Sequence, residues 1–301
     1  MNRHDDPTTT PGRPARTDID PVAAALGCAD RAALSSDVDV REITQLAELV
    51  AITTLYNEIW RPDGSPPIST ELLRALSKTG NYVAAAFDDD RLVGAAVGFF
   101  TAPDGAALHS HIAGVSTTVL GRHVGYALKL HQRAWALRRD VQLIEWTFDP
   151  LVARNAYFNI VKLAGLPAEY LPNFYGGMRD GINGDDDTDR LLLHWNLADP
   201  QVVAASSGRR RHTDLVALRA AGAAVALGRG AGGEPVVGHA DAGTLLVAVP
   251  TDVEALRAWN PGQAKEWRIA VREVLGRLLA AGARVTGFDR AGWYVVEHPE
   301  R

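Results

Sequence analysis

The chain has 301 residues, 47% of them apolar and 22% charged, with a formal net charge of −5. That length supports one large core or two modest ones, and the charge excludes a general nucleic-acid or membrane-surface binder. One cysteine, Cys28, excludes an intrachain disulfide and a cysteine zinc cluster and suits a reducing cytoplasm; no apolar run reaches the length of a membrane span.

Residues 1–36 are rich in Pro, Thr, Asp and Arg and read as a disordered tail, with at most a short helix over 22–26. The string ending at Cys28 has a faint likeness to a lipoprotein cleavage box. Its apolar run is too short, and Asp18 and Asp20 precede it where basic residues belong. A first strand over 38–43 leads into a helix in which Ile52, Leu55, Tyr56 and Ile59 recur at helical spacing, with Thr44 as its candidate cap. Ser69 opens a second helix, which Gly80 ends. Apolar runs at 82–87 and 92–100 form a hairpin across Asp88-Asp89-Asp90-Arg91.

The densest signals lie between 107 and 175. They read as strand 108–116, glycine turn 120–125, helix 126–139, strand 142–148 and helix 151–164. A strand entering a helix through a glycine turn makes an anion site, because the first helical amides have no intrahelical partner and the dipole is positive there. In that turn Gly121 and Gly125 allow close approach of the backbone, and Arg122 and His123 add donors. Strands at 170–175 and 191–197 follow, separated by an acidic loop. Its Asp185, Asp187 and Asp189 alternate as in a calcium loop, but Arg190 stands where glycine is needed and no glutamate closes the motif.

Residues 199–241, with Arg209-Arg210-Arg211 and Ala/Gly-rich sequence, read as a linker. The pattern returns over 242–301 as strand 245–249, helices 252–259 and 261–281, and strands 284–288 and 293–297. This smaller C-terminal α/β extension would widen the first sheet or cover its substrate end. Arg268 and Arg272 share a helix face and suit either an anionic ligand or acidic neighbours.

Four strings beginning at His109, Ala127, Trp146 and Asn173 ("HSH", "ALKLHQR", "WTFDPL.ARNAYFN", "NFYG") give the stretch 38–197 a resemblance to the GCN5-related N-acetyltransferase (GNAT) superfamily, in particular to a subgroup of predicted acetyltransferases. The resemblance implies an α/β (α+β) fold over 37–198: a mixed, mostly antiparallel sheet flanked by helices. It implies acetyl-CoA or another acyl-CoA as co-substrate, no metal, and transfer to the amine of a small molecule, with neither nucleic acid nor membrane as partner; a homodimer stays open. The strand edge at Ala113, Gly114 and Val115 would pair with the pantetheine arm. The turn Gly121, Arg122, His123, Val124, Gly125 and the first helical residues Tyr126 and Ala127 would hold the pyrophosphate, and Asn155 would touch the cofactor. The tyrosine that protonates the departing thiolate falls at Val161, a departure from the pattern; Tyr157, four residues earlier, is the substitute. A catalytically weak acyl-CoA-binding or regulatory module is the alternative.

His109 and His111 flank Ser110 on a strand, so both imidazoles face the same side. Either could take the ammonium proton, and Glu145 is the rival base unless Arg133 or Arg154 pairs with it. With Glu145 or Asp149 the two histidines could instead ligate a metal and serve a hydrolase, although no third ligand is fixed.

Overall fold

The computed structural model describes residues 20–60, 66–103, 105–176 and 186–298. Along the chain lie α1 (Pro21–Ser35), β1 (Asp39–Glu42), α2 (Leu46–Trp60), α3 (Thr70–Lys78), β2 (Tyr82–Asp88), β3 (Arg91–Phe100), β4 (Ala107–Val115), α4 (Val124–Leu137) and β5 (Leu143–Phe148). Helix α5 (Ala153–Ala156) continues as a π-helical turn, Tyr157–Lys162, before β6 (Leu166–Leu171) and β7 (Arg190–Asn196). These seven strands form one sheet in the order β1-β2-β3-β4-β5-β7-β6. Every neighbouring pair is antiparallel except β4 and β5.

Strand β2 is buried on both faces because its side chains alternate between two cores. Val83, Ala85 and Phe87 meet Leu49, Ile52 and Tyr56 on one face, while Tyr82, Ala84 and Ala86 join α4 on the other. The Ser69 side chain caps α3 by accepting from the Leu72 amide, as its position predicts.

Two sequence expectations are corrected. Residues 21–35, read as tail, form α1, which packs on α4 and buries Ala25, Cys28, Ala29 and Ala32. Asp20 caps it by accepting from the Val22 amide and Pro21 occupies its first turn. The buried stripe is made of small residues, which composition does not register as a core. Residues 1–19 lie outside the described residues. The stretch read as a linker, 199–241, contains α6 (Pro200–Ser206), α7 (Leu215–Ala220), β8 (Ala224–Arg229) and β9 (Pro235–Val237). Strand β8 is short and alanine-rich, and it exists because β10 (Thr244–Ala248) pairs with it in parallel.

The remaining elements are α8 (Val253–Trp259), α9 (Pro261–Val271), a π turn at Arg272–Gly276, α10 (Arg277–Ala280), β11 (Arg284–Asp289) and β12 (Trp293–Glu297). Their strands make a separate sheet, β11-β12-β10-β8-β9, and do not widen the first. Its core is continuous with that of the first unit: Leu191 and Trp195 share a cluster with Leu245, Trp267 and Tyr294.

Candidate active site

Strand β4 positions most of the candidate residues. On its β3 side the ladder pairs Val97 with Ile112 and Gly98 with Ser110, so His111 is an extra residue bulged out of register. On its β5 side the parallel ladder runs only through Ala107–Leu143, Leu108–Ile144 and His109–Glu145. Beyond that point β4 continues to Val115 and β5 to Phe148 without pairing to each other. The two strands diverge, and the edge of β4 that includes Ala113, Gly114 and Val115 turns main-chain groups toward the gap. Gly114 is required there for packing, since a Cβ would stand 2.7 Å from Trp60 Cη2.

The gap leads to the start of α4. Gly121 has φ +87° and His123, the residue before the helix, has φ +63° and gives no side-chain cap. Among the described residues, the amides of Gly121, His123, Val124 and Gly125 have no acceptor. The other predicted phosphate donors are corrected. The Arg122 amide donates to Val119, and its guanidinium grips both Asp88 oxygens at 3.1 Å and the Ser36 carbonyl. The amides of Tyr126 and Ala127 already donate to the His123 carbonyl, and Ala127 is fully buried. Tyr126 donates its hydroxyl to the Ala205 carbonyl at 2.9 Å.

On the face of the sheet away from α4, the three candidate bases come together. His109 Nδ1 lies 3.5 Å from Glu145 Oε1, and Phe99 packs against both His109 and His111 at ring separations of 5.1 and 5.6 Å. Burial holds both imidazoles below their ordinary range; Glu145 pulls His109 the other way, and His109 lowers His111 further. Both shifts favour the neutral form, which can accept a proton. Arg133 donates to the Leu197 carbonyl and Arg154 pairs with Glu254, so neither neutralises Glu145.

The sequence reading missed His194 on β7. It pairs in register with Glu145, and its Nε2 lies 3.9 Å from Glu145 Oε2. A lone polar residue in an apolar strand was the only signal, and strand register is needed to place it. His109, Glu145 and His194 form a row across three strands with the carboxylate in the middle. No group of three or more His, Cys, Asp or Glu side chains arranged to hold a metal occurs among the described residues. Asp149, the other suggested ligand, is locked to Arg257 and Arg268. Asp187 and Asp189 pair with Arg272, which also answers the alternatives for Arg268 and Arg272; Asp185 lies outside the described residues.

Helix α5 follows β5 after a short turn. Asn155 is exposed, and Val161 is buried in the core. Tyr157 is half-buried, with the Arg290 guanidinium 4.8 Å above its ring. The i→i+5 turn sets Lys162 one turn after Tyr157.

No family profile matches the chain, and no curated protein does. Among solved structures it is similar to an N-acetyltransferase from Staphylococcus aureus Mu50, at 13% identity over 53% of this chain and 98% of that one, with a TM-score of 0.45. It is also similar to the ribosomal-protein-S18-alanine N-acetyltransferase of Escherichia coli, at 12% identity over 53% and 94%, TM-score 0.42. A third similarity is to an acetyltransferase candidate from Salmonella typhimurium solved with acetyl-CoA, at 17% identity over 54% and 95%, TM-score 0.45. The seven-stranded unit is a mixed, mostly antiparallel sheet with one splayed parallel pair, flanked by helices. Among the described residues, no helix is long and apolar enough to cross a membrane.

Proposed function

We propose that this chain is an N-acyltransferase that moves an acetyl or other short acyl group from acyl-CoA to the amine of a small molecule, by direct transfer in a ternary complex. The observation that carries this reading is the divergence of β4 from β5 toward the unpaired amides before α4. A pantetheine arm is a peptide-like chain that can pair with a free strand edge, and a pyrophosphate suits a helix N-terminus.

Acyl-CoA supplies the activated thioester. The main-chain amides of β4 polarise its carbonyl. His111, at the bulge, or His109 takes the proton that the ammonium must lose, while Glu145 orients His109 and attracts the cationic acceptor. As the N–C bond forms and the C–S bond breaks, solvent gives a proton to the departing thiolate. His194, more exposed than Glu145, connects the row to bulk water. The reading places the reaction in the cytoplasm and needs no metal, nucleic acid or membrane.

The test is native mass spectrometry of the purified protein for bound CoA, followed by thiol release with a panel of amines. Release with any amine supports the enzyme. Bound CoA without release supports instead the binding or regulatory module, which the burial of Val161 at the usual acid's position favours. Absence of both overturns the reading.

A further inference from the structure

Beside the start of α4, the fold gathers cations from three separate segments. Lys162 ends the π turn after α5, Arg210 lies between α6 and α7, and Arg290 sits in the turn between β11 and β12. None of the three has a carboxylate partner within ion-pair distance among the described residues. Burial together with Arg210 and Arg290 pushes Lys162 toward its neutral form, and Lys162 and Arg210 do the same to His123. Folding therefore concentrates like charges without counter-charges, which is costly unless an anion joins them.

Two of these cations are held in place. Arg210 lies 5.3 Å over the Tyr126 ring, whose hydroxyl is fixed to Ala205, and the Arg210 Nε is buried without a hydrogen-bond partner. Arg290 rides on a braced turn. Asp289 accepts from the Ala291 amide at 2.7 Å, and Arg229 donates to the carbonyls of Ala291, Gly292 and Val249. The Arg290 guanidinium is steadied on the Tyr157 ring.

We propose that Lys162, Arg210 and Arg290 clamp a second phosphate group, the 3′-phosphate of the nucleotide, so that the C-terminal unit completes the co-substrate site. The proposal rests on the acyl-CoA reading. The free amides at the start of α4 suffice for the pyrophosphate. A phosphomonoester brings nearly two more negative charges and three strong acceptors, and the charge order runs outward from His123 through Lys162 and Arg210 to Arg290. Phosphate is the chemistry this fits, because guanidinium groups bind it in a fork and need no acidic partner.

The experiment is calorimetric titration of the full chain with CoA and with 3′-dephospho-CoA. The wild type is expected to prefer CoA by roughly tenfold or more, the size of one charge-assisted phosphate contact. Arg290→Ala, on an exposed turn, should weaken CoA by about tenfold and leave dephospho-CoA within about twofold, and Arg290→Lys should keep most of the preference. Arg210→Ala should act in the same direction. A preference for CoA that is unchanged in both alanine variants, whether or not the affinities themselves move, overturns the clamp. A wild type that binds neither ligand overturns the acyl-CoA reading itself.

Discussion

Lys129 is a buried lysine with no acid beside it among the described residues. Its ammonium donates to Ser110 Oγ at 2.8 Å and Gln132 Oε1 at 3.2 Å and lies 3.6 Å from the Trp146 ring centroid. Burial lowers its pKa from 10.5 to about 7. Between those values the unfolded chain holds a proton that the folded chain has released, so stability must rise with pH across that window. The slope is at most about 1.4 kcal/mol per pH unit. Lys129→Met should abolish this rise and be more stable than wild type near pH 6; urea titrations at pH 6, 8 and 9.5 read both effects, and a wild-type midpoint that is flat over this range would contradict the account. The histidines give a second residue-scale expectation. Their lowered pKa values place the acid limb of the rate profile below the usual imidazole value, so a kcat–pH titration should show that limb on the acid side of a free histidine's. His111→Ala should cost roughly a hundredfold in kcat with acyl-CoA affinity nearly intact, because the proposed co-substrate site does not use the His111 side chain. Wild-type turnover and pH profile in both His111→Ala and His109→Ala would shift the role of base to Glu145. The two histidines were legible because alternate strand residues share a face. His194, Lys162 and Arg290 were not, because each becomes relevant only through a strand register or a turn position that local sequence does not encode.

At the scale of elements, α1 and the loop before α4 behave differently from what composition suggests. Helix α1 buries Ala25, Cys28, Ala29 and Ala32 against α4, and Arg31 donates to Cys28 Sγ at 3.2 Å. Burial of that stripe contributes roughly 3 kcal/mol. A chain starting at Asp37 should therefore melt lower by roughly 5–10 °C, whereas one starting at Asp20 should keep most of its stability; equal melting temperatures for the two would mean that α1 does not dock. The signal for this helix, Asp20 followed by Pro21 and a four-residue alanine spacing, was present in the sequence. It was outweighed by the tail-like composition before it, since small residues carry little hydrophobic signal. Gly125 is the opposite case. A Cβ there would meet only Val115 Cγ2, at 3.7 Å, and its φ is not in the left-handed region. The protein itself therefore tolerates a side chain at this position. Gly125→Ala should fold normally and lose acyl-CoA affinity by about tenfold if the pyrophosphate approaches this backbone. Unchanged affinity in a calorimetric titration would remove the turn from the site. The larger periodic elements were legible to within a few residues, as with β12 at Trp293–Glu297. Strand β8 was not, because its partner β10 supplies the reason for it.

For the whole molecule, the question is what fixes the C-terminal unit against the first sheet. Arg268 is 2% exposed and forks onto Asp149 at 2.7 and 2.9 Å, while its Nε and second terminal nitrogen reach Asp186 at 3.2 and 2.9 Å. Asp149 directly follows β5, so this link runs from α9 to the end of the splayed strand pair. Tyr294 adds a hydroxyl bond to the Pro150 carbonyl at 2.8 Å. Burial alone would raise Asp149; Arg268 and Arg257 overcome it and hold the carboxyl well below the usual carboxylate range. A carboxylate lowered in the folded state contributes stability that is complete above its unfolded pKa, near 3.8, and is lost as pH falls further. Removing Arg268 takes the forked guanidinium from two buried carboxylates and leaves Arg257 to serve both, so Arg268→Met should cost about 3–5 kcal/mol. Arg268→Met combined with Asp149→Asn should recover part of that loss, because the second change leaves Arg257 with one buried carboxylate instead of two, and a double-mutant cycle measures the coupling. The same variants also test how the two units work together. If the clamp is in place, loosening this link should weaken CoA more than 3′-dephospho-CoA, since Arg290 moves with the C-terminal unit and the amides before α4 do not. Equal weakening of both ligands would mean that the network stabilises the fold without positioning the clamp.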